Sequence, residues 1–334
     1  MTTDTMVEDL ALARDETAQM ALLEPYRGEL TGYCYRMLGS TFDADDAVQE
    51  TLVRAWRGLD SFEGRSALRS WLYRIATNVC LDALAGRQRR ALPIDLSPGR
   101  PWEPVEHSLA AQRPATAWVE PVLDRAVLAE GADPAELAVE RESIRLAFVA
   151  ALQHLPPRQR AVLLLCEVLR FKAQEVSELL GTTVASVNSA LQRARATLAE
   201  AGDRPEPPPL DDDTQDLLDR YVDAFARYDI DTLVSLLHGD ATQHMPPYEM
   251  WLGSAEDIGR WMLGPGHGCR GSRLLQVRAN GCPAVAQWRP DGDGYSPWAL
   301  HVLEVEGGRI RNITSFLDLD TGLFARLGLP VTPD

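Results

Sequence analysis

The 334-residue sequence has no long apolar stretch, so it lacks the run of about 18 apolar residues that marks a transmembrane helix. Its N-terminal segment is acidic and has neither the basic start nor the apolar run of a signal peptide. There are only five cysteines, far apart and without a CxxC pair, which disfavours a disulfide framework or a zinc site. We therefore expect a cytoplasmic protein with unpaired thiols, no metal and no other cofactor.

Positive charge is also scarce, and Lys172 is the single lysine. The chain has 33 basic against 49 acidic residues and a net charge of -16, which disfavours unaided binding to nucleic acid because phosphate is repelled. The charge is uneven, however. Residues 22–92 hold 10 basic and 9 acidic residues and residues 139–202 hold 8 and 6, whereas every other segment is net negative. Any DNA contact is therefore expected in these two blocks, and weak without assistance.

Clusters of proline divide the chain. The division gives an acidic leader (1–21), a helical block (22–92), a proline-rich acidic linker (93–138), a second helical block (139–202), a short proline and aspartate linker (203–215) and a last domain (216–326). The last domain opens with an amphipathic helix and continues with alternating segments that predict strands at Arg273–Val277, Ala284–Trp288, Trp298–Glu306 and Ile310–Leu317. The predicted fold class is multidomain, with two all-α domains and a C-terminal α+β domain.

The second helical block has the pattern of a helix-turn-helix. Helices are predicted over 157–169, 172–180 and 184–198, with Gly181 in the turn before the last helix. One face of that last helix is apolar, and the opposite face has short polar side chains and arginines but no carboxylate. A helix that reads base edges needs such a face, whereas a merely solvated face usually contains glutamate. The candidate DNA contacts are Thr183, Ser186, Asn188, Ser189, Gln192, Arg193 and Arg195.

Residues 180–198 resemble region four of bacterial extracytoplasmic-function sigma factors, and 155–164 resemble the usual opening of that region. The resemblance implies that this block reads the minus-thirty-five promoter element. In the first block, Phe42–Trp56 resembles the region-two helix that docks on the RNA polymerase clamp. This implies polymerase contacts from Asp45, Asp46, Gln49, Glu50 and Arg54, while Val48, Leu52 and Ala55 face the core.

Residues 62–82 resemble the segment that melts the minus-ten element. Melting requires cations for phosphate and side chains that hold an extruded base. The resemblance implies contacts from Arg69, Trp71, Arg74, Asn78 and Arg87, although an aromatic at helical spacing, such as Trp71, is more often packed in the core. Tyr73 and Thr77 are also expected to lie outside the buried stripe of this helix. The two motifs together predict a transcription initiation factor that acts with core RNA polymerase on double-stranded and melted promoter DNA.

Trp118-Val-Glu-Pro121 resembles a short motif of sigma factors that carry an extra C-terminal domain, which implies a linker anchor at Trp118, Glu120 and Pro121. The acidic linker either imitates nucleic acid in a basic channel or is simply solvated.

Residues 217–237 and 308–317 resemble SnoaL-like domains of the nuclear-transport-factor-two-like fold, a helix-covered curved sheet around a cone-shaped cavity. Because this domain is joined covalently to the two promoter-reading modules, we expect it to regulate the factor in cis. Aromatic and histidine side chains are candidates for a small-molecule pocket or for plain core, namely Tyr221, His244, Tyr248, Trp251, Trp288 and Trp298.

Two other functions remain open. Some members of the SnoaL-like fold are enzymes with an Asp–His pair, and His238, Asp240 and His244 lie together in an expected helix-to-strand turn. No nucleophile motif accompanies them, so we predict no catalysis; the alternative is a SnoaL-like enzyme or ligand sensor fused to a DNA-targeting module. A helix-turn-helix repressor that acts without polymerase is disfavoured by the clamp-like helix. The stretch Asp291–Tyr295 departs from the glycine-rich Asp-Gly-Gly-Gly-Lys motif of related fused factors.

Overall fold

The N-terminal module is helical, with α1 (Glu16–Leu23), α2 (Arg27–Leu38), α3 (Thr41–Gly58) and α4 (Leu68–Leu84). A computed structural model describes residues 16–59, 62, 67–96, 100–128, 134–200, 212–319 and 322–333. Gly39 ends α2 with a positive φ of 69°, and the Ser40 hydroxyl caps α3 by accepting a hydrogen bond from the Asp43 amide at 3.1 Å. The expected apolar stripe of α3 is buried in the module.

The second helical module contains α7 (Pro134–Ile144), α8 (Leu146–Leu152), α9 (Pro157–Leu163), α10 (Ala173–Leu179) and α11 (Val184–Glu200). A π-helical segment, Leu164–Val168, continues α9. Gly181 has a φ of 60° in the turn between α10 and α11, and the Thr183 hydroxyl accepts from the Ser186 amide at 3.1 Å. The predicted helix-turn-helix is therefore present.

The two helical modules pack together in one compact unit, the described parts of Met1–Arg89 and Arg125–Gly202. Arg36 on α2 donates to the Ser143 hydroxyl on α7 at 2.9 Å. The buried Arg160 on α9 donates to the backbone carbonyl of Met37. Burial lowers the pKa of both arginines to about 10. A further contact joins Tyr73 on α4 and Phe171, whose ring centroids are 5.5 Å apart.

The second unit, the described parts of Arg90–Asp124 and Asp203–Asp334, contains a sheet. Its strands are β1 (Leu237–His244), β2 (Trp251–Leu252), β3 (Arg273–Ala279), β4 (Cys282–Asp291), β5 (Gly294–Glu306) and β6 (Arg309–Leu317). The order is β2-β1-β6-β5-β4-β3, with β1 parallel to β6 and the other pairs antiparallel. The four expected strands are present with longer bounds. β1 corrects the sequence expectation, because it occupies the place of the expected helix-to-strand turn.

Helices cover this sheet. The first three, α12 (Asp212–Arg227), α13 (Ile230–Ser235) and α14 (Ala255–Leu263), share an apolar core with the strands. A short helix, α15 (Leu323–Arg326), places Phe324 against Trp288 with ring centroids 5.1 Å apart. The C-terminal domain is therefore α+β, as predicted. No helix among the described residues is both long and apolar enough to cross a membrane, and all five cysteines lie outside disulfides.

The predicted linker 93–138 is divided between the two units. Its first part, which includes α5 (Pro93–Leu96), belongs to the C-terminal unit up to Asp124. The part from Arg125 belongs to the helical unit, and α7 already begins at Pro134. A short helix, α6 (Asp124–Val127), spans the division. Of the leader and the second linker, residues 1–15 and 203–211 lie outside the described residues.

Candidate nucleic-acid interface and C-terminal cavity

The outward face of α11 presents the candidate DNA contacts. Val187 and Ala194 are fully buried and hold the opposite face of the helix against its module. The predicted contacts are all exposed, namely Thr183, Ser186, Asn188, Ser189, Gln192, Arg193 and Arg195. Arg195 also forms an ion pair with Glu167, so part of its charge is neutralised within the module.

On α4, Arg74 and Asn78 are exposed. Arg87, just beyond the helix, is exposed and lies 2.8 Å from the Asp43 carboxylate. Trp71 is half-buried and packs on Phe62 with ring centroids 5.0 Å apart. Phe62 thus covers part of the Trp71 ring, and the rest of the side chain stays partly accessible.

Arg69 is engaged inside the helical unit. Its Nε donates to the Glu29 carboxylate at 3.0 Å, and its guanidinium lies 5.2 Å from the Tyr73 ring centroid and 5.0 Å from that of Phe171. In this arrangement the guanidinium already has a carboxylate and two aromatic partners.

Tyr73 and Thr77 correct the sequence expectation, because both are buried. The Tyr73 hydroxyl donates to Glu29, and the Thr77 hydroxyl bonds that of Tyr33 at 2.8 Å. Burial, with Glu29 beside the ring, raises the pKa of Tyr73. Their hydroxyls thus find partners in the core, and an outward face is not needed to satisfy them.

The outer face of α3 carries the candidate polymerase contacts. All of them are exposed, namely Asp45, Asp46, Gln49, Glu50 and Arg54. The opposite side chains of Val48, Leu52 and Ala55 are buried, as the spacing predicts. Arg54 forms an ion pair with Glu50 at 2.7 Å, an i,i+4 pair that also supports the helix.

The candidate linker anchor lies in the C-terminal unit. Trp118 and Pro121 are buried. Arg90 donates to the Trp118 carbonyl at 2.7 Å and lies 3.7 Å from the Glu120 carboxylate. These contacts tie the Trp118 motif to Arg90, which lies just before the start of the linker.

A cavity of about 160 Å³ lies between the sheet and helices of the C-terminal domain. Tyr221, Tyr248 and Trp298 line it, as expected. The other three candidates, His244, Trp251 and Trp288, do not line the cavity, which corrects the sequence expectation. Successive strand residues face opposite sides of a sheet, so Gln243 and Gln287 face the cavity, whereas their neighbours His244 and Trp288 face away.

The side chains that face away from the cavity pack elsewhere. The His244 ring lies 6.5 Å from that of Trp251, on strand β2, and Trp288 packs on Phe324. Burial lowers the pKa of His244 to about 4.

The Asp–His pair lies on an exposed part of β1. His238 and Arg311 both bond the Asp240 carboxylate, and these bonds lower the pKa of Asp240 to about 2. None of the three side chains lines the cavity.

Sequence reasoning missed the polar lining of the cavity and the linker residue that borders it. Leu109, from the linker, lines the cavity together with Gln243, Gln287, His301 and Ser315. The alternation of Gln243 on β1 with Met245 just beyond its end was the available signal, but it requires recognising β1 as a strand.

Comparison with known families defines the class of protein. Residues 22–90 match Sigma-70 region 2, residues 145–198 match Sigma-70, region 4, and residues 218–313 match the SnoaL-like domain. The two helical modules are therefore those of a sigma factor, and the third domain is an addition to them.

Individual relatives identify the family. The chain is 48% identical over 313 residues to the ECF RNA polymerase sigma factor SigG of Mycobacterium tuberculosis, covering 92% of this chain and 82% of that protein. It is 27% identical over 306 residues to SigJ of the same organism, covering 87% and 89%. The crystal structure of SigJ shares the fold, with a TM-score of 0.58 over 93% of this chain and 99% of that one, at 23% identity. The chain belongs to the extracytoplasmic-function RNA polymerase sigma factors, and it is a transcription initiation factor.

Proposed function

We propose that the exposed face of α3 binds core RNA polymerase, that α4 contacts the minus-ten element and that α11 reads the minus-thirty-five element, in the cytoplasm. The observation that supports this most directly is the outward face of α11, where all seven candidate side chains are exposed and none is a carboxylate. Because none of those seven side chains is negatively charged, none repels phosphate, and all can contact base edges or the backbone.

Transcription in vitro tests the polymerase contacts. Purified full-length protein with core polymerase should direct transcription from its promoter, and the double variant Asp45→Lys, Glu50→Lys should reduce output and core binding together. Glu256→Lys, an exposed charge reversal on α14, is the matched control and should leave both unchanged. Normal core binding by the double variant would contradict the assignment.

Promoter reading is tested on α11. Asn188→Ala or Arg193→Ala should weaken discrimination at single minus-thirty-five positions by about 1–3 kcal/mol each. Gln174→Ala, on the neighbouring α10, should leave this discrimination unchanged. A uniform loss across all promoter sequences would instead assign these side chains to the phosphate backbone.

We further propose that the C-terminal domain regulates the factor in cis by holding the linker between the two promoter-reading modules. Three points on the linker support this. The Trp102 amide donates to the Trp251 carbonyl at 2.8 Å. Arg113 forms an ion pair with Glu249. The Val122 amide donates to the Asn280 side chain at 3.1 Å.

Two linker aspartates offer a matched test of this regulation. Asp124 accepts from the Gly281 amide at 2.8 Å and lies 3.3 Å from Arg278, whereas Asp95 accepts at 3.0 Å from the amide of Leu92, which lies just before the linker. Asp124→Ala should change transcription output, and Asp95→Ala should not. Equal output from wild type and both variants would refute control through this contact.

We propose no catalytic role for the C-terminal domain. The Asp–His pair of His238 and Asp240 is exposed, ion-paired with Arg311 and outside the cavity lining. A substrate held in the cavity would not meet these groups.

A further inference from the structure

A line of buried polar side chains borders the cavity of the C-terminal domain. Gln243, Gln287, His301 and Ser315 all line it, and each is at most 6% exposed. The rest of the lining is largely apolar and aromatic. Polar groups buried in such surroundings need hydrogen-bond partners, so their bonding pattern shows what the cavity presents.

The direction of the hydrogen bonds is fixed at one end. The Ser272 hydroxyl donates to the Cys269 backbone carbonyl at 2.7 Å, which can only accept. Ser272 therefore has no further proton to give, and it accepts from the Gln287 amide nitrogen at 2.8 Å. The Gln287 carbonyl oxygen is left facing His301 Nε2 at 2.7 Å and accepts its proton.

The hydrogen bond to Gln287 also fixes which groups donate on the other side of His301. Burial lowers its pKa to about 4, so the ring is neutral near pH 7 and the proton on Nε2 leaves Nδ1 as an acceptor. Nδ1 then accepts from the Ser315 hydroxyl at 2.8 Å. With that proton used, Ser315 accepts from the Gln243 amide nitrogen at 3.4 Å.

This series of hydrogen bonds ends at the side-chain oxygen of Gln243. This atom is buried, and no hydrogen-bond donor among the described residues reaches it. Turning the amide over would not satisfy it, because Ser315 has no proton left to donate. The cavity therefore presents one buried acceptor within an apolar lining.

We propose that the cavity binds a small neutral molecule with an apolar body and one hydroxyl or N–H group that donates to Gln243. A volume of about 160 Å³ fits a single ring, since an apolar cavity of about 150 Å³ holds benzene. Leu109 of the linker lines the same cavity, so the bound molecule touches the segment that joins the two promoter-reading modules. This inference goes beyond the proposed function, because the site requires neither polymerase nor promoter.

An anion is the competing ligand. Arg289 lines the cavity, with its guanidinium 3.6 Å from the centroid of the Trp298 ring. Because the guanidinium already stacks on that ring, and the buried acceptor would repel a carboxylate, we assign the site to a neutral donor.

Binding of four one-ring probes to the full-length protein tests the proposal, with ligand-observed NMR as the measurement. Phenol carries a donor, anisole only an acceptor, toluene neither, and benzoate a negative charge. Phenol should bind about ten-fold more tightly than anisole or toluene, because only phenol satisfies the buried acceptor. The proposal would be overturned if benzoate bound more tightly than phenol, if phenol and anisole bound equally, or if no probe bound.

A pair of glutamine variants locates the donor contact. Gln243→Leu should abolish the preference for phenol over toluene, while the exposed Gln276→Leu on β3 should retain it. A preference that persists in Gln243→Leu would exclude this acceptor. If Gln243→Leu does not fold, the wild-type probe series decides alone, and none of these measurements depends on transcription.

Discussion

Arg160 is a buried arginine whose hydrogen bonds with the described residues all go to neutral groups. Besides the Met37 carbonyl, it donates to the Gln153 side chain at 2.7 Å and to the Gln153 and Leu155 carbonyls at 3.2 Å. It thereby ties α9 to the end of α2. An ionised group without a carboxylate partner persists in the interior only when such bonds replace water.

Removing the Arg160 side chain should therefore destabilise the helical unit. Arg160→Ala leaves buried carbonyls without a donor, and we expect a loss of about 2–4 kcal/mol in the free energy of unfolding, measured by denaturant titration of the helical signal. Arg158→Ala, an exposed arginine on the same helix, should change it by less than about 0.5 kcal/mol. Equal effects would mean that the hydrogen bonds of Arg160 contribute nothing.

Two buried histidines make the stability of the C-terminal domain depend on pH. Burial lowers the pKa of both His244 and His301 to about 4, below the value near 6.5 of an unfolded histidine. The unfolded chain then binds more protons, so stability is full above pH 6.5 and falls as pH drops toward 4. This pKa shift corresponds to a loss of about 3 kcal/mol in the free energy of unfolding per histidine.

Replacing His244 tests this pH dependence. The histidine has no hydrogen-bond partner among the described residues, so His244→Phe should fold and remove about half of the pH dependence between 6.5 and 4. Melting temperatures across that range measure the effect. The exposed His107→Asn is the control and should leave the slope unchanged, and an unchanged slope in His244→Phe would contradict the prediction.

At the residue scale, helical spacing predicted which side chains face outward on α3 and α11, because each helix has one apolar stripe. It failed for Tyr73 and Thr77, whose hydroxyls find partners inside the core. A polar atom on a side chain does not reveal whether a partner lies within the fold. The expected pocket aromatics failed in part because Trp288 alternates to the opposite face of β4.

At the element scale, the turn before α11 depends on glycine. Gly181 has a φ of 60°, a left-handed conformation that strains any residue with a Cβ. Gly181→Ala should cost about 1 kcal/mol in unfolding free energy, whereas Gly28→Ala in α2, where a Cβ meets nothing within 4 Å, should be neutral or stabilising. Chemical denaturation of both variants measures the difference, and a loss from Gly28→Ala as large as that from Gly181→Ala would refute it.

The elements with strong periodicity were predictable, and the irregular ones were not. The later strands alternate clearly, but β1 reads Leu-His-Gly-Asp-Ala-Thr-Gln-His, with few apolar residues. Its pairing with β6, not its own propensity, makes it a strand. The linker was recognised from its prolines, yet its attachment to the C-terminal domain depends on contacts such as Val122 with Asn280, which composition does not reveal.

At the scale of the whole molecule, the two promoter-reading modules are packed against each other. Phe171 of the second module contacts Tyr73 and Arg69 on α4. We expect the two modules to bind separate stretches of promoter DNA, and a rigid contact between the modules fixes how far apart those stretches can lie. We therefore expect the contact at Phe171 to open when the promoter is bound.

Weakening the contact between the modules should therefore favour the open, polymerase-ready form. Phe171→Ala removes the ring that joins Tyr73 and Arg69, so amide exchange in residues 68–84 should become faster and core polymerase should bind more tightly. Phe62→Ala removes an aromatic contact with Trp71 inside the first module alone and should not increase polymerase affinity. Phe171→Leu, which keeps an apolar side chain, separates loss of the contact from loss of the fold. A contact that closes the molecule stabilises the form that cannot bind, so removing it raises the fraction of the open form and with it the apparent affinity for polymerase. Unchanged affinity in Phe171→Ala would show that the two modules separate without cost.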